Sequence, residues 1–310
     1  MKTIFTLFSI SLICFSAALA QRQNELPDNV KQILFLGNSI TYSGEYIAFV
    51  ETFYRLQHPE SSIEWLNLGL PSETVSGLSE EGHAGGAFPR PDLHERLDRI
   101  FAQIKPDFVF VNYGMNDGIY LPYDSARFAK YAAGMRWLDS KIKAINAKPV
   151  FLTPPIYDPA KGIPYSITLD LYTSWLIDQE KESNWKVIDI HFPMKAYLEA
   201  QRKIEPAYFL AKDGVHPNST GHWLMARSIL EFLGLGEMDS EGTFEERISN
   251  YPKGMELFIL ISQKQKILRD TYLTATGHLR PGLPEGLPLT EAKEKAESLE
   301  NQIRDLLVNN

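Results

Sequence analysis

Short apolar runs alternate with longer amphipathic segments along the first two thirds of the chain. In the amphipathic segments apolar residues recur every three or four positions, as Phe128, Tyr131, Met135 and Leu138 do, and this spacing predicts helices. The apolar runs are short enough to be buried strands. They predict strands at residues 32–36, 63–68, 107–112, 149–153 and 186–190.

Helices are predicted between and after these strands, at residues 45–57, 92–104, 125–146, 166–182, 194–202 and 220–233. Short apolar strands that alternate with helices favour a parallel sheet with both faces covered by helices. The predicted fold is therefore α/β, a flavodoxin-like three-layer α/β/α sandwich with a five-stranded parallel sheet.

The pattern changes towards the C-terminus, where helices follow one another with no strand between them. They are predicted at residues 245–250, 255–272 and 289–307. The loop 277–288 is rich in Gly and Pro, which predicts that the last two helices form an antiparallel hairpin. We predict a C-terminal helical extension over residues 237–310 that docks on the preceding domain; a partner-binding helix is the alternative.

The N-terminus has the pattern of a secretory signal. Lys2 precedes an apolar run that ends in Ala18-Leu19-Ala20, a small-x-small sequence typical of a signal-peptidase site. We predict a signal peptide at residues 1–20, a linker at 21–30, and a secreted or periplasmic protein with no stable membrane insertion after cleavage. A lipid anchor at Cys14 is disfavoured because no small residue stands directly before it.

Composition narrows the possible partners. The formal net charge is −8 and no long basic run is present, so nucleic acid is not an expected partner. The single cysteine lies in the predicted signal peptide, which leaves the mature chain without disulfides or thiolate metal sites. The apolar fraction of 44% is sufficient for a sizeable core.

Candidate chemical groups follow the strands. Gly37-Asn38-Ser39 follows the first strand, Asn67-Leu68-Gly69 ends the second, and Asn116-Asp117 follows the third. In a parallel sheet these three positions share one edge, where ligands bind. Each has an ordinary structural explanation on its own, because Ser caps helices and an Asn-Asp pair is common in turns. The same holds for Asp213-Gly214 and His216-Pro217 before the last helix of the domain.

Taken together and in this order, the blocks resemble those of the SGNH (GDSL-type) hydrolase superfamily. The four residues that name it match Ser39, Gly69, Asn116 and His216. The resemblance covers residues 31–236, which we interpret as the hydrolase domain.

The resemblance implies a serine esterase. Ser39 would be the nucleophile, His216 its general base, and Asp213 the group that orients the imidazole. The oxyanion would be bound by the backbone N–H groups of Ser39 and Gly69 and by the side-chain amide of Asn116. No cofactor or metal is implied.

Other positions are assigned supporting roles. Asn38 stands where the family most often has Asp, and we expect this change to affect the loop rather than the mechanism. Asp117 is expected to support its loop. The Gly-rich segment 77–91 is interpreted either as an insertion that covers the site or as a plain surface loop.

The remaining histidines are expected to have structural or surface roles: His58, His83, His94, His191, His222 and His278. A metal site formed by His83 and His94 is an alternative, but their spacing matches no motif.

The leading hypothesis is a secreted esterase that removes a small acyl group, acetyl above all, from a carbohydrate. Tyr42, Phe88 and Tyr120 are aromatic residues that could stack on sugars or belong to the core. One alternative is a lipase or thioesterase-type acylhydrolase, and another is a non-catalytic carbohydrate-binding or scaffold protein. Nucleotide or flavin binding is disfavoured, because the first turn has neither a Gly-x-Gly-x-x-Gly nor a Walker pattern.

Overall fold

A five-stranded, all-parallel sheet forms the centre of the protein. The computed structural model describes residues 26–27, 29–235 and 242–308. The strand order is β2-β1-β3-β4-β5, the doubly wound order of flavodoxin-like proteins, which confirms the predicted fold. The strands are β1 (Gln32–Gly37), β2 (Glu64–Asn67), β3 (Phe108–Asn112), β4 (Lys148–Leu152) and β5 (Lys186–Ile188). The predicted signal peptide and the predicted start of the extension lie outside the described residues.

Two apolar cores lie on opposite faces of the sheet because side chains alternate along each strand. In β1, Ile33 and Phe35 belong to one core, whereas Leu34 and Leu36 belong to the other. The first core is covered by α2 (Glu45–Gln57), α6 (His191–Ile204) and α7 (Ser219–Phe232). The second is covered mainly by α3 (Leu93–Gln103), α4 (Ser125–Ala144) and α5 (Ile163–Glu182).

The structure corrects the predicted helices at three places. A short helix that the sequence analysis missed, α1 (Ser39–Ser43), follows β1 and ends at Gly44, whose φ of 77° allows the chain to turn into α2. Helix α5 begins at Ile163, because Pro164 is tolerated in a first turn, where its missing N–H costs no hydrogen bond. Helix α6 also begins earlier than predicted, at His191.

The C-terminal helices pack against the sandwich. They are α8 (Phe244–Ile248), α9 (Gly254–Thr276) and α10 (Leu289–Val308). Helix α9 contacts the edge strand β2, and it also contacts α2 and α3, which lie on opposite faces of the sheet. Within the described ranges, no helix combines the length and apolarity required to cross a bilayer.

A buried ionic network joins α2, α9 and α10. Lys264 Nζ lies 2.8 Å from Glu51 Oε1 and 2.7 Å from Glu300 Oε2, and Arg55 Nη1 lies 2.8 Å from Glu300 Oε1. Breaking such a buried pair by removing one partner typically costs about 3–5 kcal/mol. The extension is therefore docked through charge as well as through apolar contacts.

His222 on α7 is a buried histidine near α1. Its Nε2 lies 3.1 Å from Ser43 Oγ, and its ring stacks on Tyr46 with the ring centroids 6.0 Å apart. Burial, together with a smaller contribution from the nearby His216, lowers the pKa of His222 to about 4.

We expect the free energy of unfolding to decrease as the pH falls from 6.5 towards 4, because the unfolded chain then binds a proton at His222 that the folded chain does not. The pKa difference corresponds to about 3 kcal/mol. His222→Phe should flatten this part of the pH dependence, measured by urea unfolding. The same replacement at the more exposed His94 is the control; an unchanged slope for His222→Phe would contradict the assignment.

Candidate active site

Ser39 is placed at the sheet edge by a capped turn. It is the first residue of α1, directly after β1, and Asn38 Oδ1 accepts a hydrogen bond from the Ile40 N–H at 3.0 Å. Asn38 is 1% exposed, so this cap is inside the protein. The amide thus acts on the turn, as expected for a position where the family most often has Asp.

Ser39, His216 and Asp213 form a hydrogen-bonded chain. Ser39 Oγ lies 2.8 Å from His216 Nε2, and His216 Nδ1 lies 2.6 Å from Asp213 Oδ2. The other carboxylate oxygen of Asp213 accepts the N–H groups of Val215 and His216 at 2.9 and 2.8 Å. The structure therefore brings together three groups separated by 177 positions between Ser39 and His216.

The carboxyl group of Asp213 is held in its charged form. Partial desolvation raises its pKa, but the hydrogen bonds from His216 and from the backbone of His216 and Val215 outweigh this and lower it to about 2. An ionised carboxylate fixes the imidazole with Nε2 directed at Ser39. In this arrangement the ring can accept a proton from the serine hydroxyl.

Asn116 is fixed by hydrogen bonds on both sides of its amide. Its Nδ2 donates to the Glu73 carbonyl at 3.0 Å, and its Oδ1 accepts from the Tyr120 hydroxyl at 2.9 Å. An amide nitrogen carries two hydrogens, so one remains for a substrate oxygen. The sequence presents Tyr120 as a residue for sugar stacking or for the core, whereas its observed hydrogen bond orients Asn116.

The carbonyl that holds Asn116 belongs to a residue with a buried ion pair. Glu73 Oε1 and Oε2 lie 2.6 and 2.7 Å from Arg96 Nε and Nη2, and both side chains are almost fully buried. Tyr113 donates its hydroxyl to Glu73 Oε2 at 2.5 Å, and Arg96 also donates to the Leu68 carbonyl at 2.7 Å. No local sequence pattern indicates this pair, because its members lie 23 positions apart along the chain.

Asp117 supports the loops around Asn116, as expected. Its Oδ1 accepts the N–H groups of Val75 and Ser76 at 2.9 Å each, and its Oδ2 accepts that of Gly114 at 2.8 Å. The carboxylate therefore ties the loop after β2 to the loop after β3.

Gly69 lies two residues after β2 and packs against α1. A Cβ atom at this position would lie 2.4 Å from the Tyr42 nitrogen, so only Gly permits the close approach. The Gly69 N–H, however, donates to Asn67 Oδ1 at 2.9 Å. The structure thus gives Gly69 a packing role, and its N–H is already paired instead of pointing free into the site.

A strained turn follows Gly69. The Glu73 N–H donates to the Leu70 carbonyl at 3.1 Å, and Ser72 has a φ of 69° at the third position of this turn. Pro71 at the second position is the sequence signal for a type II turn, which requires a positive φ at the next residue. Positive φ at a residue other than Gly is strained and often occurs at functional sites.

The segment 77–91 is attached to the site through Arg90. Its guanidinium donates to both carboxylate oxygens of Glu80 at 2.6 and 2.7 Å and lies 5.2 Å from the centroid of the Tyr120 ring. Desolvation raises the pKa of Glu80, but the hydrogen bonds, led by those from Arg90, lower it to about 2. The segment, which the sequence presents as a flexible insertion, is therefore held beside Tyr120 by the contacts of Arg90.

The aromatic residues considered for sugar stacking all face protein cations: Tyr120 faces Arg90, Phe88 faces Arg280 and Tyr42 faces Arg269. Two histidines considered for a metal site each pair with one carboxylate, His83 with Glu80 and His94 with Asp92. Among the residues that the structure describes, no group of three or more His, Cys, Asp or Glu side chains is arranged to hold a metal ion.

Comparison with known proteins places the chain among esterases. An acetylxylan esterase from Geobacillus stearothermophilus is 26% identical over 226 residues, which cover 66% of this chain and 94% of that enzyme. A solved structure of an acetylxylan esterase from the same organism superposes with a TM-score of 0.51 at 25% identity, over 66% of this chain and 94% of the other.

A gut microbial diltiazem-metabolizing enzyme has a TM-score of 0.57 at 22% identity, over 68% of this chain. The matched part is 49% of that enzyme, so this chain corresponds to about half of its length and the likeness is one of fold. The model of the GDSL-like lipase/acylhydrolase family matches residues 35–224, more than half of the chain. The protein therefore belongs to the GDSL-like lipase/acylhydrolase family and is a carboxylic ester hydrolase of the SGNH type.

Proposed function

We propose that the protein is a secreted serine esterase that removes small acyl groups, above all acetyl, from carbohydrate. The observation that carries the proposal is the chain from Ser39 Oγ to His216 Nε2, 2.8 Å, and from His216 Nδ1 to Asp213 Oδ2, 2.6 Å. Such a chain activates a serine hydroxyl that is weakly nucleophilic alone.

In the proposed reaction, Ser39 Oγ attacks the ester carbonyl while His216 Nε2 takes its proton. His216 then gives this proton to the ester oxygen of the sugar as its bond to the acyl carbon breaks, so that the sugar leaves with a free hydroxyl and the acyl group stays on Ser39. Water, deprotonated by the same imidazole, attacks the acyl-serine. The imidazolium then returns this proton to Ser39 Oγ as the bond between the acyl carbon and Oγ breaks, which releases the carboxylic acid and restores the free serine. Asp213, ionised throughout, stabilises the imidazolium that forms in each half of the reaction.

The proposed oxyanion donors are the Ser39 N–H and the free Nδ2 hydrogen of Asn116. Ser39 is the first residue of α1, where an N–H has no carbonyl partner within the helix. The Gly69 N–H could bind the oxyanion only if its hydrogen bond to Asn67 Oδ1 were broken. We therefore propose that the second backbone donor comes from the strained turn at Ser72, next to the Glu73 carbonyl that holds Asn116.

The carbohydrate substrate is supported by the acetylxylan esterase relative and by the predicted signal peptide. A longer-chain lipase or thioesterase is the second candidate, because the family includes lipases as well as acylhydrolases. A non-catalytic sugar-binding role is disfavoured, since the three side chains of the hydrogen-bonded chain are present and in contact.

The nucleophile assignment predicts that Ser39→Ala lowers kcat on nitrophenyl acetate by a factor of about 10³ to 10⁶. The loss follows because, within the part of the chain that the structure describes, Ser39 carries the hydroxyl that is hydrogen-bonded to His216. Thermal unfolding is the control for an intact fold. Wild-type rates in the Ser39→Ala protein would refute the serine mechanism.

The substrate assignment predicts faster hydrolysis of acetyl than of octanoyl nitrophenyl esters, and release of acetate from acetylated polysaccharides. The measurement is a panel of such glycans, with Ser39→Ala as the blank. A preference for octanoyl or longer chains would instead support the lipase or thioesterase candidate.

The role of Asn116 predicts that Asn116→Ala lowers kcat by about 10² to 10³, the usual effect of losing one oxyanion donor. Tyr120→Phe should have a smaller effect, about tenfold, because the amide remains but loses one of the two bonds that orient it. Both variants are compared by kcat and KM on the same acetyl ester. Equal rates for Asn116→Ala and wild type would exclude Asn116 from the oxyanion hole.

A further inference from the structure

The short helix that carries Ser39 has most of its terminal carbonyl groups satisfied from within its own domain. The Ile40 carbonyl accepts from Ser43 Oγ at 2.8 Å and from the Gly44 N–H at 3.4 Å. The Thr41 carbonyl accepts from Asn67 Nδ2 at 2.6 Å. The final carbonyls of a helix have no intrahelical partner, so these contacts determine where α1 ends and how it lies.

The next carbonyl, that of Tyr42, is satisfied by the C-terminal extension. Arg269 on α9 donates from Nη1 to the Tyr42 carbonyl at 2.7 Å, and its guanidinium carbon lies 4.0 Å from the centroid of the Tyr42 ring. The guanidinium is itself held, because Asp270 Oδ1 accepts from both Nε and Nη2 at 2.8 Å. Arg269 is 9% exposed and lies outside the residues matched by the family model.

We propose that Arg269 is a positioning residue for Ser39, supplied to the active site by the C-terminal extension. A helix of five residues cannot hold its own conformation, so α1 depends on what contacts it. Gly69 contacts the Thr41–Tyr42 backbone on one side, and Arg269 binds the Tyr42 carbonyl on another. The inference rests on the proposed role of Ser39 as nucleophile.

The chemistry of the contact explains why an arginine is suited to it. The planar guanidinium stacks on the Tyr42 ring while donating in its own plane to the carbonyl, which a lysine cannot reproduce. A positive charge is also favourable beside the exposed carbonyl of a helix C-terminus. Displacing a reacting group by about 1 Å can cost about a hundredfold in rate, so a small shift of α1 is sufficient for a measurable effect.

A second arginine provides a matched control. Arg99 on α3 also bonds the extension through backbone carbonyls, donating to Thr276 at 2.6 Å and to Gly277 at 3.2 Å. It touches the far end of α9 and makes no contact with α1 in the described residues. Arg99→Ala therefore loosens the extension without removing the bond to Tyr42.

The test compares Arg269→Ala, Arg269→Lys and Arg99→Ala in the full-length protein, by kcat and KM on nitrophenyl acetate and by thermal unfolding. A serine-reactive fluorophosphonate measures the reactivity of Ser39 directly, with the labelled residue identified by mass spectrometry. Arg269→Ala is expected to lower kcat and the labelling rate together, by about tenfold to a hundredfold, with KM within about twofold. Arg269→Lys should fall between it and wild type, and Arg99→Ala should lose only thermal stability.

Chemical rescue separates positioning from general stability. A cavity of about 300 Å³ lies beside Arg269, lined also by Ser43, Gly44 and Asn67. Millimolar methylguanidinium should therefore restore part of the labelling rate of Arg269→Ala and leave that of Arg99→Ala unchanged.

Equal labelling rates in wild type and Arg269→Ala, with only the unfolding temperature lowered, would overturn the proposal. If Arg269→Ala does not fold, a wild-type labelling rate in Arg269→Lys overturns it. Because labelling does not depend on the acyl group, a wrong substrate assignment leaves this test intact. A wild-type protein that is not labelled at Ser39 would overturn the nucleophile assignment itself, and the role of Arg269 with it.

Discussion

The buried ion pair between Glu73 and Arg96 is the constraint on which the site depends. Neither charge is accessible to water, so each is tolerable only while the other is in place. Arg96 also holds the end of β2 at Leu68, and the backbone of Glu73 holds Asn116. The position of α3 therefore determines, through this one buried interaction, where Glu73 lies and where its carbonyl holds the Asn116 amide.

The two halves of the site are held in different ways. The half that contains Asn116 is held by buried charges and by the three backbone N–H groups that donate to Asp117. The half that contains Ser39 rests on a helix of five residues whose carbonyls are bound by separate parts of the chain. Asp213 and His216 lie on an exposed loop, where the carboxylate organises its own backbone. The buried residues therefore provide the rigidity of the site, whereas the His216 and Asp213 side chains are exposed to solvent.

The strands and the order of the site residues could be predicted because parallel strands are buried on both faces and are read as continuous apolar runs. Ser39 and Asn116 could be named from motifs that end such runs, and His216 from the Asp213–His216 block that precedes a helix. The hydrogen bond between the Gly69 N–H and Asn67 could not be predicted, because it depends on the orientation of the Asn67 side chain. Helix α1 was missed because its five residues span little more than one helical turn, which is too short for the apolar spacing to repeat. The contact between Tyr42 and Arg269 spans 227 positions and has no local signal.

The docking of α9 has a consequence for the solubility of the fold. Strand β2 is an end strand of the sheet, and an uncovered end strand offers its free N–H and C=O groups to any other extended chain. Helix α9 packs against β2 and touches helices of both layers, so it occupies this side of the sheet. Removal of α9 would therefore expose an end strand that is prone to self-association.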